Sequence, residues 1–233
     1  MKLCVLNFSG NVGKTTVAAH LLQPRLGAAL FSVESLNQDA EGSGVDVERL
    51  RGSRFGELQR KVMEVDSAIV DVGSSNVETF LAQMAQYEGS QEDFDYFIVP
   101  TIKDKKQTAD TVNTIIVLHE LGVGPERIKV VFNKVDPAES VREEFRPLWG
   151  MDAEGLVKLN EAAVLFQNEV FELVKDADLS LAAVIADQSD FKKAVLEAKT
   201  PEAKSEAITH LAIKRLSSSC ARNLDAVYAE LFP

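Results

Sequence analysis

Nine residues near the N-terminus, Phe8-Ser9-Gly10-Asn11-Val12-Gly13-Lys14-Thr15-Thr16, bring together the groups that hold a polyphosphate. Gly10 and Gly13 let the backbone turn tightly around Asn11 and Val12 and aim successive N–H groups inward. Those donors and the start of a helix near Lys14 make a nest for anionic oxygens. Lys14 can reach the β- and γ-phosphates, the Thr15 hydroxyl can ligate Mg²⁺, and Thr16 can add a contact to the α-phosphate. The bland alternative is a strand–turn–helix with an incidental lysine. An apolar strand, then Gly-x-x-Gly-Lys-Thr-Thr, then a helical pattern is the context in which the phosphate-binding reading holds.

Three further segments carry candidate chemistry. Ala68-Ile69-Val70-Asp71-Val72-Gly73 is an apolar run ending in an acid and a glycine. Asp71 could hold Mg²⁺ directly or through water, although an acid at a strand end also serves as a turn former or helix cap. Glu34 and Asp39, in Glu34-Ser35-Leu36-Asn37-Gln38-Asp39, could orient an attacking water, or could be a solvated acidic loop. In Asn133-Lys134-Val135-Asp136 the Asn amide can bond a purine edge and the Lys134 stem can lie on its face. This Asn-Lys-x-Asp spacing is also that of the guanine-reading motif of GTPases, in which the Asp accepts from the base. ATP and GTP both remain open, since a single polar contact to the base shifts preference strongly.

The elements that must position these groups alternate. Apolar runs at Leu3–Phe8, Ala28–Val33, Ala68–Val72, Tyr96–Thr101, Lys129–Asn133 and Leu181–Ala186 read as strands, with helical stretches between them. Nearly continuous apolar strands are those of a parallel sheet covered on both faces. The expected fold is therefore α/β, a doubly wound, mainly parallel sheet with helices on both sides, in a single domain over 1–233. Leu156, Leu159, Ala163, Phe166, Val170 and Leu173 follow helical spacing, as do Ala207, Leu211, Leu224, Val227 and Leu231, with Ser217–Ser219 weakening the second stripe. Asn37–Gly44 is a polar loop of the kind that often carries function.

The phosphate loop departs from the common Gly-x-x-x-x-Gly-Lys-Ser/Thr form, because Phe8 stands where its first glycine would be. It resembles instead the deviant Walker A loop of the ParA/MinD family, Gly-Lys-Gly-Gly-x-Gly-Lys-Thr-Thr. Gly10, Gly13, Lys14, Thr15 and Thr16 match that loop, Asn11 replaces a glycine, and Ser9 occupies the place of the signature lysine. The resemblance implies a P-loop fold binding ATP and Mg²⁺, with Asp71 as the Walker B-type acid, Gly73 in a switch loop and slow hydrolysis. It places Asp187 and Phe191 in a second base-contacting loop. It also implies a nucleotide-dependent homodimer, in which Lys103, Lys105 and Lys106 are the nearest cations to replace the missing lysine. Within the family the length, Ser9 and the loop are most similar to plasmid stability proteins encoded beside a small DNA-binding partner, which implies plasmid positioning, inheritance or conjugative transfer. A related GTPase of assembly or maturation and a non-hydrolysing adaptor are the alternatives.

Composition bounds these readings. Of 233 residues, 25 are Lys or Arg and 36 Asp or Glu, a net charge of −11, so bulk positive charge for coating nucleic acid is absent. Any DNA link is expected through a partner protein, with direct binding weak. Cys4 and Cys220 read as reduced thiols, and His20, His119 and His210 are scattered, against a metal-delivery site. No signal peptide or membrane span is expected, a peripheral membrane helix is disfavoured by sparse terminal Lys/Arg, and the cytoplasm is the expected location.

Overall fold

A computed structural model describes residues 1–34, 47–50 (backbone alone), 54–177 and 179–233. Asp39 and the polar loop 37–44 lie outside the described residues. The strands are β1 (Lys2–Val5), β2 (Ala29–Val33), β3 (Val47–Leu50), β4 (Ala68–Val72), β5 (Tyr96–Thr101), β6 (Ile128–Val135) and β7 (Val164–Phe166). After the phosphate loop, α1 (Lys14–Thr16) continues through a π-helical turn (Val17–Leu22) into α2 (Gln23–Leu26). The remaining helices are α3 (Phe55–Glu64), α4 (Val77–Gln86), α5 (Lys105–Glu120), α6 (Val141–Glu144), α7 (Arg146–Ala153), α8 (Val170–Asp176), α9 (Leu181–Ala186), α10 (Phe191–Glu197) and α11 (Pro201–Leu231).

The described strands form one sheet in the order β3-β2-β4-β1-β5-β6-β7, and each pairing is parallel. Alternate residues of each strand enter two separate cores, as the pleat dictates. Cys4, Leu6, Phe31, Val33, Val70, Val72, Phe97 and Val99 face α3, α4, α5 and α7. Leu3, Val5, Leu30, Ile69, Ile98 and Leu165 face the π-helical turn, α8, α9 and α11. The expected doubly wound parallel fold is therefore present. β1 lies in its middle, with Val5 opposite Asp71 of β4 on one side and Ile98 of β5 on the other. That register brings the loop after β1 and the acid of β4 to the same end of the sheet.

Two expectations are corrected. Leu181–Ala186 is not a strand but α9, begun by Ser180, whose hydroxyl accepts the Ala183 N–H at 3.4 Å. A six-residue apolar run fits either state by periodicity, and its three alanines together with a serine cap favour the helix. The stripe from Leu156 to Leu173 is not one helix either. α7 ends at Ala153, Gly155 turns left-handed at φ +75°, and β7 then adds to the sheet beside β6 before α8 begins. Helical spacing there came from an edge strand and a short helix read together. β1 stops at Val5, leaving Asn7 and Phe8 in the loop, and β3 was not foreseen.

The last helix bears out the Leu224, Val227 and Leu231 part of its stripe, whereas Ala207 and Leu211 are only half-buried. Ile213, Ser217, Cys220, Leu224, Val227 and Leu231 are buried at alternating steps of four and three. Ser217–Ser219 do not interrupt it, since Ser218 returns its hydroxyl to the Lys214 carbonyl at 2.9 Å. Tyr228 and Phe232 pack on each other and Phe232 on Tyr96, so the terminal apolar residues serve the core. Cys4 and Cys220 are free and belong to the two different cores. Among the described residues no helix is long and apolar enough to cross a membrane. Replacing the buried Leu224 by Ala should cost about 2–4 kcal/mol. The expected readout is a lower urea midpoint at unchanged denaturant slope.

Candidate nucleotide-binding site

The loop is shaped by two left-handed residues and one side chain from across the sheet. Asn11 has φ +61° and Gly13 φ +91°, and the Gly13 carbonyl accepts the first helical bond from Val17 at 2.9 Å. Asn133, buried at the end of β6, donates its Nδ2 to the Val12 carbonyl at 2.9 Å. A Cβ on Gly13 would stand 2.1 Å from that Nδ2, so residue 13 must be glycine for its dihedral and for this approach. Val12 is fully buried beneath the turn, while Gly10, Asn11 and Thr15 are exposed on its outer side.

Three polar side chains gather under the loop. Lys14 is buried and donates its Nζ to the Ser9 carbonyl at 2.6 Å. Burial pulls its pKa down to about 8, a fall that the nearby Asp71 charge partly offsets. The Thr15 hydroxyl donates to Asp71 Oδ2 at 2.7 Å, and the other oxygen, Oδ1, is buried without a partner. Desolvation raises the Asp71 pKa to about 6, against the Thr15 hydrogen bond and the Lys14 charge, while the Glu34 charge pushes it further up. An orphaned carboxylate oxygen beside a hydroxyl is the hard-oxygen donor set that Mg²⁺ takes. Thr15 and Asp71 thus fit the implied metal, directly or through water. The half-buried Glu34 sits next to Gly73, with its Cγ 3.6 Å from where a Cβ there would lie.

Other predicted residues are more dispersed. Besides bracing Val12, Asn133 accepts the Lys134 N–H at 2.9 Å, so both ends of its amide are engaged within the protein. Lys134 is exposed at φ +56°, and the exposed Asp136 accepts the Ala138 N–H at 2.9 Å. Asp187 follows α9, where its carboxylate accepts the Ser189 N–H and its carbonyl accepts Lys214 Nζ. Phe191, at the start of α10, lies beside His210 of α11. Lys103 is paired with Glu139, which raises the lysine's pKa and lowers the acid's, whereas Lys105 and Lys106 are exposed at the start of α5. Among the described residues no group of His, Cys, Asp and Glu forms a metal cluster. Sequence reasoning passed over Ser74, whose Oγ would meet a Cβ on Gly10 at 3.5 Å, and Asn7, which is fully buried at the loop's entrance. A Thr108-x-x-Thr111-x-x-Thr114 row of hydroxyls on the core side of α5 was the available signal for the second.

These two shifts each contribute a pH dependence to the stability of the ligand-free protein. The folded state holds the Asp71 proton more tightly than the unfolded chain, so the contribution of Asp71 to stability falls as pH rises from about 4 to about 6. Lys14 loses its proton earlier when folded, so its contribution rises between about pH 8 and 10.5. Asp71→Asn should remove the acid-side fall and stabilise the ligand-free protein at pH 7 by up to about 3 kcal/mol. Urea melts from pH 4 to 8 would show a flatter profile for the variant.

No protein-family model and no curated protein matches the chain. Solved structures do. McdA from Cyanothece aligns at TM-score 0.52 and 12% identity, over 91% of this chain and 98% of that one. The cell division ATPase MinD of Pyrococcus furiosus aligns at TM-score 0.51 and 16% identity, over 92% and 97%. The septum site-determining protein MinD of Pyrococcus horikoshii, complexed with Mg-ADP, aligns at 0.50 and 14%, over 94% of each chain. The likeness is one of fold, and it extends over nearly the whole of both chains: this sequence adopts the doubly wound parallel α/β fold of the McdA and MinD structures.

Proposed function

We propose that the protein is a Mg²⁺-dependent nucleoside triphosphatase, ATP favoured over GTP, acting as a nucleotide switch in partition or positioning. The observation that carries this reading is the Lys14–Thr15–Asp71 arrangement beneath a glycine-turned loop, with Asp71 Oδ1 left without a partner. The amides from Gly10 to Lys14 receive phosphate oxygens, and Lys14 leaves the Ser9 carbonyl to meet the β- and γ-phosphates. Bound Mg²⁺ supplies charge neutralisation between the phosphates. Thr15 and Asp71 hold it, and Glu34, or Asp39 in the segment outside the described residues, orients the attacking water. Hydrolysis is slow, and the γ-phosphate acts chiefly as a clamp on the segments near Glu34 and Gly73.

The finer assignment rests on the loop sequence. Ser9 and the Ser-Gly-Asn-Val-Gly-Lys-Thr-Thr run support a plasmid stability role of the StbB type, in inheritance or conjugative transfer. The net charge of −11 supports a DNA link through a small DNA-binding partner in the cytoplasm. If the protein pairs across bound nucleotide, Lys105 and Lys106 are free of the ion pair that holds Lys103 and are the better cations to cross.

A GTP reading has one observation in its favour: the Asp136 carboxylate is exposed just beyond β6, at the end of an Asn-Lys-x-Asp run. Competition of ATP and GTP for one labelled nucleotide decides between them, with ATP expected to displace the label at lower concentration. Lys14→Ala should lower nucleotide affinity and turnover by about two orders of magnitude. Wild-type binding and hydrolysis by that variant would overturn the assignment. Binding without turnover, even with DNA and the neighbouring gene product added, would leave a nucleotide-binding adaptor.

A further inference from the structure

β1 makes its last ladder bond from the Leu6 N–H to the Ile98 carbonyl at 3.1 Å. One more step of the same parallel ladder would bring the residue 8 amide to the Pro100 carbonyl. The chain turns away into the phosphate loop instead, and the fully buried Asn7 side chain takes over. Its Nδ2 donates to the Pro100 carbonyl at 2.9 Å and to Thr111 Oγ1 at 2.8 Å, and its Oδ1 accepts the Ser9 N–H at 2.8 Å. The Phe8 N–H donates to Thr114 Oγ1 at 3.2 Å. Thr111 and Thr114 send their hydroxyl hydrogens back to the Gln107 and Asp110 carbonyls, both at 2.7 Å; the Thr114 oxygen then accepts from Phe8, and the Thr111 oxygen is shared between Asn7 and Thr101 Oγ1 at 2.9 Å. The Ser9 carbonyl, on the other side of the same residue, is the one that holds Lys14.

We propose that Asn7 is a positioning residue of the nucleotide site, and that Thr111 and Thr114 make α5 its support. The inference rests on the nucleotide-binding reading above and deepens it. The amides of residues 8 and 9 are committed to α5 and Asn7, so the anion nest starts at Gly10. Anchoring the Ser9 N–H leaves only the φ and ψ rotations of Ser9 between that anchor and the carbonyl on which Lys14 waits. An apolar trio would fill the same volume, but it would leave the Phe8 and Ser9 amides and the Pro100 carbonyl buried without partners, a cost that satisfied buried networks avoid.

The test compares Thr111→Val, which keeps the shape and removes the acceptor, with Thr111→Ser, which restores it. Thr114→Val is a second probe should the first fold poorly. In nucleotide-free protein, amide hydrogen exchange over residues 8–13 should be about tenfold faster in Thr111→Val and near wild type in Thr111→Ser. The Kd for a fluorescent Mg-ADP analogue should rise about tenfold in the valine variant and recover in the serine one. Unchanged exchange over 8–13, acceleration spread evenly through the sheet, or failure of serine to rescue would overturn the proposal. If the wild-type protein bound neither ATP nor GTP, the nucleotide reading would fall instead. The exchange pattern separates the two failures because it is measured without nucleotide.

Discussion

Two opposite charges, on Lys14 and Asp71, are kept largely out of water at one end of the sheet without being joined to each other. Isolated buried charge is costly, and each group shows it in a pKa moved toward its neutral form. What tolerates the arrangement is the parallel pairing of β1 with β4, which sets Val5 against Asp71 and surrounds both with two dry cores. The rest of the site follows from that register. The loop must rise from β1 over the acid, and the helix after it must begin where Thr15 can reach the carboxylate.

The ligand-free site is therefore a strained electrostatic arrangement with provisional partners. Lys14 rests on a main-chain carbonyl, and Asp71 is half satisfied by one hydroxyl. A polyphosphate with a divalent cation would supply the missing negative charge to the first and the missing positive charge to the second, so both penalties are relieved by the same ligand. This is the general pattern in which a functional site violates local rules and the surrounding fold compensates. The compensation is visible in Asn133, whose amide reaches from β6 to hold the turn, and in Gly13, the residue that admits that approach.

The parallel α/β class was legible because its strands are nearly pure apolar runs, a pattern imposed by burial on both faces. The turn after β1 was legible because its pattern is local: glycines, lysine and threonines lie within a few residues of one another. Legibility failed where local pattern was degenerate. Leu181–Ala186 is apolar enough for a strand, and its alanines and the Ser180 cap, rather than its periodicity, mark it as a helix. The helical spacing from Leu156 to Leu173 arose by chance across a left-handed glycine, an edge strand and α8. In neither case could periodicity alone have decided the outcome.

Functional geometry divides along the same line. The sequence by itself determined that a glycine-bearing turn follows β1, that Lys14 and Thr15 open the helix after it, and that an acid lies near the end of a neighbouring strand, which is the basis of the proposed polyphosphate nest. Those are properties of residue type and short spacing. Only the tertiary structure decided that Asn133 braces the loop, that the Asp187 carbonyl takes Lys214, and that Asn7 ties the loop to α5. Each of these depends on which elements the fold sets side by side. Hydrogen bonds between residues about 100 positions apart are set by topology, which no local pattern encodes.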